Sequence, residues 1–329
     1  MIIQFFCRAV LLGVPLLYGS TGEILTEKSG HLNLGIPGIM YVGAISGVTG
    51  SLIYENSCGN DIANMNPLLA VLIPLLFSII GSVLMGLIYS FLTVSLHANQ
   101  NVTGLALTTF GIGLGNFLGS SLISITNSDL PSIALSNTSL FFSTKLPFYD
   151  KLGVVGELFF SYDFLTYFAI IIAVIVSIVL NRTRVGLNLR SVGESPATAD
   201  AAGINVTRYK YLSTVIGSAI AGLGGLYFVM DYTGGAWTNG GFGDRGWLAI
   251  ALVIFAIWNP RFGIIGSFLF GGLYILCVYI PGLSSSAKEL INMLPYLVTI
   301  IVLVIISMRK KRENQPPAHL GLSYFREER

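Results

Sequence analysis

Apolar runs close to 20 residues long recur from one end of this chain to the other, and that recurrence decides the fold class. A helical run of that length matches the hydrocarbon thickness of a bilayer. In lipid, every backbone polar group must find its partner inside the protein, which leaves helices or closed barrels. Nine segments are placed, at 8–21, 34–53, 68–96, 103–123, 164–180, 211–230, 246–258, 263–280 and 291–308. Only 10% of the 329 residues are charged, against about 25% in soluble domains, and mean hydropathy is +0.75. The expected fold is an all-α polytopic membrane protein of about nine transmembrane helices, some of them discontinuous. The first run is signal-like but has no A-x-A cleavage site after it, so it is kept as a membrane helix. Residues 1–312 are read as the transmembrane domain and 313–329 as a polar tail without fixed structure.

An odd number of crossings puts the two termini on opposite sides. Arg309, Lys310, Lys311 and Arg312 open the tail, so the C-terminus is assigned to the cytoplasm and the N-terminus to the outside. This parity puts 13 of the 18 Lys and Arg on inner segments; the outer ones are Arg8, Lys145, Lys151, Arg245 and Lys288. Two outer stretches stand out. Residues 126–160, with Asp129, Asp150 and Glu157, are long enough to fold locally and meet a partner. Residues 231–245, DYTGGAWTNGGFGDR, interleave glycine with aromatics. On the inner side, 181–210 is a basic island carrying Arg182, Arg184, Arg190, Arg208 and Lys210. Its centre, SPATADAAG, is Ala-rich between a Ser/Pro start and a Gly stop, the composition of a short helix. A short helix lying beneath a membrane bundle is a docking element, moved by a partner.

Pro15, the break at Gly19-Ser-Thr-Gly, and Gly35, Pro37 and Gly38 mark two segments as discontinuous, read either as a cavity lining or as ordinary kinks. On these boundaries no Asp, Glu, Lys, Arg or His lies well inside an apolar segment, which argues against proton-coupled carriers and voltage sensors. A net charge of +2 gives no reason to expect nucleic acid. His31, His97 and His319 are far apart, and Cys7, Cys58 and Cys277 lack metal-ligand spacing, so neither catalytic nor metal residues are assigned. Polar and aromatic residues at membrane depth form the candidate substrate path: Asn33, Thr108, Thr109, Phe110, Asn116, Phe242 and Trp247, with Ser120, Ser121, Ser124, Tyr41, Phe117 and Trp237 nearby. Amides and hydroxyls beside aromatic faces suit an uncharged, hydrogen-bonding solute. The alternative is that these hydroxyls bond their own helix backbone.

Three blocks bring a resemblance into view: GEILTEKSGHLNLGIPGIM at 22–40, LRSVGESPATADAAGINV at 189–206, and GDRGWLAIALVIFAIWNPRFGIIGSFLFGG at 243–272. The chain resembles the permease subunits of ABC importers in the branched-chain amino acid and simple-sugar superfamily, and its nucleoside branch most of all. The resemblance implies that residues 195–202 form a cytoplasmic coupling helix. Gly193, Glu194, Ser195, Ala197, Ala201 and Gly203 would engage a separate ABC ATPase, with Gly203 as its left-handed cap. It further implies that ATP and Mg bind that ATPase, leaving this chain without a cofactor. The expected partners are a second, similar permease subunit, an extracytoplasmic substrate-binding lipoprotein and the lipid bilayer. Sugar relatives often carry Asp where Asn33 stands. Simple sugars or branched-chain amino acids are the alternative cargoes, and an ion-coupled carrier is the alternative class.

Overall fold

α1 (Ile2–Glu27) opens the structure, a computed structural model that describes residues 2–125, 131–145, 149–309 and 315–325. It runs unbroken through Pro15 and through residues 19–22, where the sequence predicts a break. Packing explains the glycines there. A Cβ on Gly22 would lie 2.2 Å from the Gly217 carbonyl oxygen, so the residue marks a close helix contact. A non-helical turn, 28–35, then leads into α2 (Ile36–Ser57). The second expected discontinuity therefore lies ahead of the helix. Pro37 sits in the first turn of α2, where a missing N–H costs nothing.

α3 (Pro67–Ser90) and α4 (Gln100–Ile125) follow, and α3 extends through a π turn at 91–95. The strand β1 (Ser132–Ala134) and the short helices α5 (Ser136–Phe142) and α6 (Gly153–Phe160) build the outer segment before α7 (Phe164–Arg182). Residues 126–130 and 146–148 of that segment, and Lys310, Lys311 and Arg312 of the basic run, lie outside the described residues. α8 (Arg184–Glu194) and α9 (Pro196–Ala201) lead into α10 (Val206–Tyr227), itself extended by a π turn at 228–232. β2 (Ala236–Thr238) pairs antiparallel with β1, setting Ile133 opposite Trp237. α11 (Arg245–Phe255), α12 (Pro260–Tyr279), α13 (Ser285–Asn292) and α14 (Leu294–Arg309) complete the chain.

Among the described residues, eight helices are long and apolar enough to cross a membrane. The segment expected at 246–258 is not one of them: α11 has 11 residues and rises about 16 Å, half the hydrocarbon thickness. α2 and α10 are the most deeply buried of the eight. They meet through glycines, a Cβ on Gly43 reaching 2.6 Å from the Gly222 Cα. Apolar faces on α3 (Leu76, Ile80, Leu84), α7 (Ile171, Ile175) and α14 (Ile300, Ile301) stay exposed, as lipid-facing helices require. The bundle has two distinct ends: β1, β2, α5 and α6 gather at one, and turn 28–35, α8, α9 and residues 315–325 at the other.

Two expectations need correction. Interior ionisable groups are present: Glu23 and Glu27 are buried within α1, and Lys210 within α10. α1 extends past Thr21 and α10 begins ahead of Tyr211, which brings these groups inside the helices. Buried charge of this kind is compatible with a proton-coupled carrier. The tail also has fixed structure over 315–325. The His319 N–H donates to the Gly193 carbonyl (3.0 Å) and the Gly321 N–H to that of Gly30 (3.3 Å).

Candidate functional site

Loop 233–244 descends between α10 and α11 and brings an aromatic and amide cluster against α2 and α4. The Tyr41 hydroxyl donates to Asn116 Oδ1 and accepts from the Gly240 N–H (2.8 Å). Trp237 Nε1 donates to Asn239 Oδ1 (3.2 Å), whose Nδ2 donates to the Ser120 hydroxyl (2.9 Å). Tyr41 packs 5.0 Å from Trp237 and 6.4 Å from Phe242, centroid to centroid. Tyr41, Trp237 and Phe242 are buried while Ser120, Asn239 and Gly240 are exposed and Asn116 is half-buried. The cluster is thus an aromatic floor with a polar edge open to the outside of the bundle. Gly119 on α4 makes the approach possible, since a Cβ there would lie 2.5 Å from Trp237 Nε1. Arg245 is already occupied: Nη1 donates to the Phe242 carbonyl (2.7 Å), and the guanidinium stacks 4.3 Å over Phe228.

Below the cluster, turn 28–35 carries non-helical backbone through the packed interior, so side chains must satisfy it. The Leu32 N–H donates to Gln100 Oε1 (2.8 Å), and its carbonyl accepts from Tyr89. The Asn33 N–H donates to Glu23 Oε1 (2.9 Å), and the Gly35 N–H to Asn33 Oδ1 (2.9 Å). The Leu34 carbonyl accepts from Thr108 (2.7 Å). Glu27 accepts from Trp258 Nε1. His31 bridges Thr214 (2.8 Å) and Thr93 (2.7 Å). Burial, helped by the nearby Lys210 charge, pushes the His31 pKa down to about 3, so the ring is neutral. Burial also lowers that of Lys28, against the pull of Glu194.

At the α9 end, three caps in series build the basic island. Thr183 caps α8 through the Gly186 N–H, Ser195 caps α9 through that of Thr198, and Asn205 caps α10 through that of Arg208. Gly203 ends α9 at φ +82°, with its N–H on the Asp200 carbonyl (3.0 Å) and the Ile204 N–H on that of Ala199 (2.9 Å). This is a Schellman cap. Pro196 and Ala199 face inward, while Ala197, Thr198, Ala201, Ala202 and Gly203 form an exposed strip of small residues. Tyr324 of the tail packs beside Val192, Ala199 and Val206, and its hydroxyl donates to Asp200 Oδ2 (2.9 Å).

Residues 6–303 match the family described as branched-chain amino acid transport system, permease component. This chain belongs to that permease family. The permease is similar to a putative glucose ABC transporter permease protein of Haloferax volcanii, 32% identical over 95% of this chain and 94% of the relative. It is 31% identical to a nucleoside ABC transporter permease protein of Lactococcus lactis subsp. cremoris, over 90% of each chain. It is 30% identical to a guanosine ABC transporter permease protein of Bacillus subtilis, over 88% of this chain and 87% of the relative. No solved structure matches the permease.

The structure brings some of the sequence-selected residues of the permease together and separates others. Asn116 and Phe242 join the cluster, while Asn33 and Thr108 belong to the turn beneath it. Thr109 and Phe110 face out of the bundle, with the Thr109 hydroxyl on its own helix at Leu105. Trp247 is half-buried on α11. Sequence reasoning left out Asn239, although the Gly and aromatic pattern of 231–245 pointed at its loop. Of the residues expected to couple, Gly193 is buried against turn 28–35, whereas Glu194, Ala197, Ala201 and Gly203 are exposed and Ser195 is half-buried.

Proposed function

We propose that the permease is the membrane-spanning subunit of an ATP-driven importer of nucleosides. The observation that carries this reading is the open amide edge of Asn116 and Asn239 above the floor of Tyr41, Trp237 and Phe242. Amides and hydroxyls at the exposed edge suit the polar edges of a base and a ribose, and the buried rings hold them in place. The nucleoside and guanosine permeases among the relatives support the same cargo. Because the edge opens outward from the bundle, a second permease subunit completes the path by facing it.

In this reading the α9 end lies in the cytoplasm and the strand end outside, where a substrate-binding lipoprotein delivers cargo. The exposed small-residue strip of α9 enters a cleft of the ATPase, which binds ATP and Mg and carries out all hydrolysis. Movement of α9 passes to Gly193, whose backbone lies on Lys28 and Gly30, and from turn 28–35 to α4 through Thr108.

A simple sugar is the second reading, favoured by the glucose permease relative. A branched-chain amino acid fits less well, because Arg245, the one cation beside the cluster among the described residues, is held by the Phe242 carbonyl and aromatic rings. Uptake of labelled guanosine in cells with and without the gene tests the proposal, with unlabelled uridine, ribose and leucine as competitors. Loss on deletion, with competition by uridine alone, supports it. Uptake that survives deletion, or that ribose suppresses, moves the cargo to the second reading.

A further inference from the structure

A cavity of about 580 Å³ opens at the strand end, between the start of α1, the end of α5, α6, the start of α7 and the end of α10. Asp163 and Asp231 both line it, from different helices, and their carboxyl groups lie against each other. Asp163 is 3% exposed, and its Oδ2 has no hydrogen-bond partner; the Oδ2 of Asp231 is buried and equally unpartnered. Hydroxyls hydrogen-bond the pair, and Lys145 and Glu157 line the same cavity. Thr166 donates to Asp163 Oδ1, and Tyr227 and Ser143 lie on Asp231. The Ser143 hydroxyl lies within hydrogen-bond reach of both Asp231 and the Ser139 carbonyl (2.9 Å).

Two carboxyls in contact cannot both ionise without a compensating charge, and an uncompensated buried charge costs several kcal/mol. A shared proton neutralises one carboxyl. A divalent cation neutralises both and also uses the two bare oxygens as ligands.

We propose that Asp163 and Asp231 form a site for a hard divalent cation, calcium by preference, that pins the start of α7 to the end of α10. Among the described residues no group of three or more His, Cys, Asp or Glu gathers in one place, so only the two carboxylates supply charged ligands. Ser143, Tyr227 and cavity water provide the remaining oxygens. Calcium accepts such a set, taking six to eight oxygens in flexible geometry, whereas magnesium demands a near-ideal octahedron. The cavity is large enough to hold the completing water. Such a site does not depend on what the permease carries.

The test uses the full-length protein in nanodiscs and reads its thermal unfolding midpoint in EGTA, then in 1 mM calcium, magnesium, or sodium at matched ionic strength. Calcium raises the midpoint by several degrees, magnesium raises it less, and sodium leaves it unchanged. Asp231→Asn and Asp163→Asn each abolish the calcium shift. If one variant fails to fold, equilibrium dialysis with radioactive calcium decides on the wild type, one ion per chain being expected. A wild type indifferent to calcium overturns the proposal and assigns the pair a shared proton. A calcium shift that survives intact in both variants overturns it as well, placing the ion elsewhere.

Discussion

Gly193 lies against Lys28 so closely that a Cβ on it would stand 2.4 Å from the Lys28 carbonyl oxygen and 3.0 Å from the Gly30 N–H nitrogen. No side chain fits there without moving backbone. The contact joins the last residues of α8 to turn 28–35, and so joins the island below the bundle to its interior. Gly193→Ala forces those backbones apart. We expect uptake to drop at least severalfold, with overpacking lowering stability by about 1–3 kcal/mol. Normal uptake by the variant at equal membrane level would remove this contact from the coupling route.

Glu23 holds the Asn33 N–H at 2.9 Å in a fully buried setting. Glu23→Ala leaves that donor unpaired, and the loss should be about 1–3 kcal/mol. Glu23→Gln keeps an acceptor and should cost less. Thermal unfolding of the two purified variants checks the order, which a purely steric role for Glu23 would not produce.

At the end of α9, Gly203 adopts φ +82° and donates its N–H to Asp200. Proline offers neither, since its ring holds φ near −65° and it has no N–H. Gly203→Pro should therefore unwind α9 and abolish uptake while the protein still reaches the membrane. Charge reversal at the exposed Glu194 should have the same effect on uptake. Membrane fractions probed alongside transport assays separate this outcome from misfolding.

His31 provides a pH dependence with a defined sign. Its folded pKa of about 3 is lower than the ordinary 6.5, so the stability it confers is complete above pH 6.5. That stability is lost as pH falls toward 3, at about 1.4 kcal/mol per unit. Unfolding midpoints measured from pH 7.5 to 5 should fall for the wild type. His31→Gln should flatten the slope, and parallel slopes would assign the effect to another group.

The polar edge can be probed directly. Asn239→Ala removes the bonds to Ser120 and Trp237 and should raise the KM for nucleoside about tenfold, equivalent to about 1.4 kcal/mol. An unchanged KM would place recognition elsewhere on the path.

The membrane helices were legible because their signal is composition over length, which no tertiary contact overrides. Their ends were not. Glu23, Glu27 and Lys210 look like boundary residues by charge alone, yet each is buried inside a helix. The partner of Glu27, Trp258, comes from a segment distant in sequence. The break expected at Gly19 failed for a related reason: a packing glycine and a breaking glycine read alike until the opposing helix is placed. Local chemistry was clearer at α9, where Ser195, Pro196 and Gly203 are all near neighbours and the cap could be read directly. Asn239 carried no such local signature, because its role depends on Ser120, 119 residues away. The tail was misread because polarity alone says nothing of Tyr324 finding Asp200.

The hydrogen bond from Gly321 to Gly30 has a consequence for the order of synthesis. It closes a loop spanning nearly all the described chain, and the nearby bond from Gln100 to the Leu322 carbonyl closes another (3.1 Å). Contacts that distant form last. As the ribosome releases the chain, every membrane helix is made before the segment that seals turn 28–35. Until then Gly30 and Gln100 lack these partners, so a nascent chain stalled within α14 exposes an unfinished surface at its α9 end.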